Sequence, residues 1–77
     1  MNKEIKETLK KAITGLDLSN KLIGYAWDHQ EEIFNDMSEA RQEGKAGREA
    51  SELLRELDLI CGSVDSITQE LRDVMNQ

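Results

Sequence analysis

Seventy-seven residues make one domain at most, near the size at which a single core barely suffices. Cys61 is the only cysteine, so no disulfide staples the chain from within, and no run of about 18 apolar residues offers a membrane span. A net charge of −6, a charged fraction of 34% and the absence of proline favour helix over sheet. The same charge disfavours a phosphate backbone as the partner.

The charge is unevenly spread. Residues 1–21 carry five lysines against three acids, whereas residues 22–77 carry five basic side chains against thirteen acidic ones. An acidic body suits a basic partner surface, although a charged helical exterior also serves solubility alone. The opening Met1-Asn2-Lys3-Glu4-Ile5 is polar rather than a signal peptide, and a lone thiol suits a reducing compartment. The expected location is therefore cytoplasmic.

The first predicted element is a short helix or helical extension over about residues 3–14, with Ile5, Leu9 and Ile13 as its apolar side. Thr14-Gly15-Leu16-Asp17-Leu18-Ser19-Asn20 follows, a weak helical glycine ahead of two capping residues. This composition predicts a break or kink near Gly15. One helix running from residue 3 to residue 43 is the other reading, because the apolar phase is not lost there and a helical glycine costs only about 1 kcal/mol.

A long helix is predicted next, over about 18–43. Its apolar positions alternate by three and four from Leu9, Ile13 and Leu16 through Ile23, Trp27, Phe34 and Met37, interrupted by Asn20 and Gln30. Gly44-Lys45-Ala46-Gly47 reads as a helix C-cap and tight turn. The last helix, over about 48–75, carries a second heptad seam through Ala50, Leu53, Leu57, Ile60, Val64, Ile67, Leu71 and Val74. The fold class expected is all-α: an antiparallel helical hairpin with an N-terminal helix or extension.

Folding about the glycine turn predicts that Trp27 faces Val64, Phe34 faces Leu57, Gln30 faces Ile60 and Asn20 faces Leu71. Asn20 and Gln30 on the seam fit register-setting polar positions, unless Asn20 is merely solvated beside the break. Each helix also carries a third apolar lane, wider than one neighbour can cover. Ile33, Ala40, Leu54 and Cys61 in these lanes are the expected self-association residues, closing a homodimeric helical bundle.

Leu18, Leu22 and Tyr25 lie at i, i+4 and i+7 on the side away from the seam, with His29 continuing the row. Such apolar residues must be covered or used. The spacing is that of a helix docking into a groove, which makes these four the expected partner-binding residues. The competing expectation is cover by a folded-back N-terminal helix.

Catalytic chemistry finds no footing. His29 is the only histidine, Cys61 has no base beside it in sequence, and no phosphate-binding glycine loop is present. No cofactor, metal site or enzyme activity is expected. The function expected is a small acidic helical protein–protein interaction module (an adaptor, an inhibitor or a chaperone-like protein) that binds another protein. The alternative is a dimeric helical regulator touching nucleic acid through Lys3, Lys6, Lys10 and Lys11.

Overall fold

The structure, a computed structural model, describes residues 1–77. It is all helical and elongated, with Cα extents of 58 × 15 × 12 Å. Three helices follow in order: α1 (Lys3–Asn35), α2 (Glu39–Glu43) and α3 (Lys45–Met75). None is long and apolar enough to cross a membrane.

α1 starts where Asn2 accepts hydrogen bonds from the free amides of Glu4, at 2.7 Å, and Ile5, at 3.4 Å. It then runs unbroken through Gly15, so the expected separation of a 3–14 helix does not occur. The reason lies in packing on both sides of the glycine. Ile13 is buried and Leu16 half-buried on one continuous seam, which holds the helical phase against a local cost of about 1 kcal/mol. Gly15 itself is exposed, and a methyl group there would meet nothing within 4 Å. Gly15→Ala is therefore expected to raise stability by about 0.5–1 kcal/mol in thermal unfolding followed by circular dichroism. A loss instead would mean that the helix needs flexibility at this point.

α1 ends at Asn35, not near residue 43, and the chain reverses over residues 36–44. Ser38 caps the single turn of α2 by accepting from the Arg41 amide. Gln42 then reaches back: its side-chain Nε2 donates to the carbonyls of Phe34, at 3.0 Å, and Met37, at 3.3 Å. These carbonyls lie at and just past the end of α1, where helical partners run out. Gly44 is the expected helix C-cap, its N–H donating to the Ala40 and Arg41 carbonyls at the end of α2, but Gly47 lies inside α3 and not in a turn. Neither adopts a positive φ. Gly44, extended, separates α2 from α3, and Gly47 is a buried residue of α3's first turns. A Cβ on Gly47 would overlap the backbone of Gln42, so close approach is what requires glycine there.

α3 returns antiparallel along α1. Contacts of three α1 residues fix the register, moving back along α1 as their α3 partners move forward. The Trp27 indole N–H donates to the Leu54 carbonyl at 3.1 Å. Asn20 Nδ2 donates to the Cys61 carbonyl at 3.3 Å and to Asp65 Oδ1 at 2.8 Å. Arg72 meets Asp17 at 3.2 Å. The expected pairs Trp27–Val64 and Asn20–Leu71 are thus corrected by about two turns, because the reversal lies upstream of the glycines. Asn20 is not solvated at a break: its Nδ2 donates within this helix pair.

The seam of α3 is also displaced by one lane. Its inward residues are Gly47, Ala50, Leu54, Leu57, Cys61, Val64, Thr68, Leu71 and Met75, all buried or half-buried. Thr68 tolerates this because its hydroxyl donates to its own helix, at the Val64 carbonyl 2.8 Å away. Leu53, Ile60, Ile67 and Val74, expected inside, are 42–48% exposed.

Candidate protein-interaction site

Continuity of α1 decides what becomes of the outer row. A folded-back N-terminal helix would have covered it, but residues 3–14 extend along the α1 axis instead. Leu18, Leu22 and Tyr25 stand 59%, 57% and 56% exposed, and His29 beside them is exposed too. Three large apolar side chains thus occupy two turns of a rigid helix with no part of the chain over them. The helix holds their spacing, so the three form a preformed ridge rather than part of a loop.

Beside this ridge lies an open cleft of about 370 Å³, lined by Lys21, Gly24, Tyr25, Trp27, Asp28, Asp58 and Cys61. Gly24 makes its floor low, since nothing lies within 4 Å of where a Cβ would project. Tyr25 belongs to both ridge and cleft, which makes the two surfaces continuous. The cleft pairs aromatic edges with two carboxylates and one ammonium. No three His, Cys, Asp or Glu side chains converge as a metal-ligand set.

Comparison with family models, curated proteins and solved structures finds no match.

The sequence-predicted self-association residues divide into two groups. Ile33 is 43% exposed and Ala40 is exposed. Leu54 and Cys61 are instead half-buried against α1, where their carbonyls accept from Trp27 and Asn20. They are consumed within the chain, because the inward lane of α3 is theirs and not that of Leu53 and Ile60. The Oδ1 of Asn20 is buried with no hydrogen-bond partner, the one such side-chain atom in the protein.

Lys21, Gly24 and Asp58 were not singled out by sequence reasoning. Gly24 carried the only signal, a small residue one turn before the sole tryptophan. Without the register, nothing said that Asp58 would lie across from it. Of the N-terminal lysines, Lys6 is half-buried and Lys10 pairs with Glu7 at 3.5 Å.

Proposed function

We propose that the chain works as a helical hairpin that binds another protein, acting without catalysis as an adaptor, inhibitor or chaperone-like module in the cytoplasm. The observation that carries this reading is the uncovered Leu18, Leu22, Tyr25 ridge on an unbroken helix. Its i, i+4, i+7 spacing is the anchor pattern of helix-in-groove recognition. Asp28 and Asp58 beside it, with Glu31 and Glu32 further along α1, favour a partner surface that carries basic side chains. In the same reading the hairpin pairs with a second copy of itself, which accounts for apolar residues that one pair of helices leaves exposed.

The test is capture. Immobilised protein should recover a defined partner that the double variant Leu22→Asp, Tyr25→Ala loses, while helix content and melting stay near those of the parent. Both side chains are more than half exposed, so folding is not expected to suffer. Undiminished recovery by the variant would remove the ridge from the proposal.

Nucleic-acid binding through Lys3, Lys6, Lys10 and Lys11 is the weaker proposal. Half-burial of Lys6 and the Glu7 partner of Lys10 leave fewer free ammonium groups for phosphate. Its signature would be affinity that falls steeply with salt.

A further inference from the structure

The two broad sides of the antiparallel pair are chemically different. One is marked by the Asp17–Arg72 ion pair and by Asp65, which accepts from Asn20. Asp17, Asp65 and Arg72 each follow a seam residue (Leu16, Val64 and Leu71). On the other side lie residues that precede the alternate seam positions. α3 presents Leu53, Ile60, Ile67 and Val74 there at seven-residue spacing, each 42–48% exposed. α1 presents Ala12, Ser19 and Ala26, then Ile33, at the same spacing. Neither lane carries a single charge, in a chain with a charged fraction of 34%.

This side cannot stay in water without cost. Only five of 77 residues are buried, and no large side chain is fully enclosed, so two helices alone make a thin core. The chain exposes 5808 Å². A compact monomer of its mass, 8.8 kDa, exposes about 4,800 Å² by the scaling of folded proteins. The excess of about 1,000 Å² compares with the roughly 800 Å² per partner that a stable interface buries.

We propose that a second copy of this chain covers the side, related by a two-fold axis parallel to the helices, giving a four-helix bundle with every neighbour antiparallel. The proposal rests on the self-association part of the reading above and adds its geometry. The size pattern selects this axis. One lane is mostly small, the other large and β-branched or leucine. A two-fold parallel to the helices sets α1 of each copy against α3 of the other, so small meets large in layers. A two-fold perpendicular to them, lying in the interface, would set α1 on α1 and α3 on α3, opposing bulk to bulk.

The pairing follows from the register. Rotation about an axis parallel to the helices moves nothing along them, so residues level within one chain are level between copies. Asn20 bonds at Cys61 and Asp65 and so is level with about residue 63, which puts Ser19, Ala26 and Ile33 within about three residues, less than one helical turn, of Ile67, Ile60 and Leu53. The Cα–Cβ bonds of each pair tilt toward their own N-termini, and in antiparallel helices that leans them toward each other. Ile60 of each copy therefore seats over Ala26 of the other, and Ile67 over Ser19. Near the reversal Ile33 meets Leu53, large on large, closing that end of the bundle. Of the ridge, Leu18 and Tyr25 stay outside, free for another protein, while Leu22, three residues after Ser19 and four before Ala26, borders the covered side.

Cross-linking of single-cysteine chains tests this. In a Cys61→Ala background, Ala26→Cys and Ile60→Cys are introduced into separate chains, one lengthened by a tag, and the two are mixed, re-equilibrated and oxidised. The mixed disulfide-linked dimer is expected in place of either self-linked product, and the solution mass before oxidation is expected to be double that of one chain. Ser19→Cys with Ile67→Cys repeats the test, should the first pair disturb folding. A mass that stays at one chain for the Cys61→Ala parent overturns self-association and the arrangement together. A double mass with self-linked products, or with no linking at either pair, overturns the arrangement and leaves self-association standing.

Discussion

Trp27→Ala is expected to remove most of the stability of the protein. Trp27 sits midway along the seam, half-buried against α3, and its indole N–H donates to the Leu54 carbonyl at 3.1 Å. Large aromatic truncations in cores cost about 3–5 kcal/mol. Half-burial places this one near the lower figure, yet a chain of this size rarely has more than about 3–5 kcal/mol in total. Urea unfolding followed by helical circular dichroism should show a midpoint near zero denaturant, or no cooperative transition. Trp27→Phe separates the two contributions, since it keeps a ring in the seam and loses only the bond, at a cost of about 1 kcal/mol plus some lost area. If the alanine variant melted like the parent, the register set by this contact would be wrong.

Gly47→Ala is expected to be the most damaging addition of a single methyl group. The other three helical glycines, Gly15, Gly24 and Gly62, face open space, so a methyl group there only strengthens the helix. At Gly47 the new carbon would overlap the Gln42 backbone, which has no rotamer by which to retreat. Relief requires α2 to move away from α3. That movement pulls Gln42 from the Phe34 and Met37 carbonyls and frees the end of α1. Overpacking of this kind costs about 1–3 kcal/mol, and the lost bonds place it toward the top of that range. The melting temperature should fall by several degrees for each kcal/mol lost. Opposite signs at Gly15 and Gly47, for the same chemical change, would show that Gly47 is packed against α2 within α3 rather than free in a turn.

The same comparison explains what the sequence could and could not disclose. Helical class was legible because apolar spacing alternates by three and four on both sides of a polar, glycine-containing segment. The reversal itself was misplaced. Glycine announces flexibility, but here one glycine serves close approach, while the actual helix end depends on Gln42 reaching back eight residues to Phe34. No local pattern displays such a bond. Continuity at Gly15 was equally hidden, since a cost of about 1 kcal/mol is decided by packing of Ile13 and Leu16 on a helix not adjacent in sequence.

The lane error on α3 has a different origin. Ala50, Leu57, Val64 and Leu71 belong to the seam in either reading, and the intervening positions offer two choices one residue apart. Leu53, Ile60 and Ile67 look the better core, being bulkier than Leu54, Cys61 and Thr68 taken together. The protein turns the smaller set inward, where Trp27 and Phe34 of α1 already supply bulk, and leaves the larger set outside. Choosing between them needs the partner helix. The outer ridge was legible in full, because i, i+4, i+7 spacing opposite a seam survives any such shift. Only its cover was undecided, and the unbroken α1 removes the candidate cover within the chain.

An exposed apolar side on a thin helix pair and an exposed ridge on its back make different demands. The first asks for a permanent neighbour and the second for a selective one. A chain that met only the first would be a plain bundle; in the function proposed above, the charge-flanked ridge is what makes an interaction module of it. In the proposed assembly the permanent neighbour is a second copy. Light scattering coupled to size exclusion, at several concentrations, tests it most directly. The expected result is twice 8.8 kDa across the range, with dissociation only at high dilution. A mass of 8.8 kDa at every concentration would contradict it, and would leave both surfaces to foreign partners.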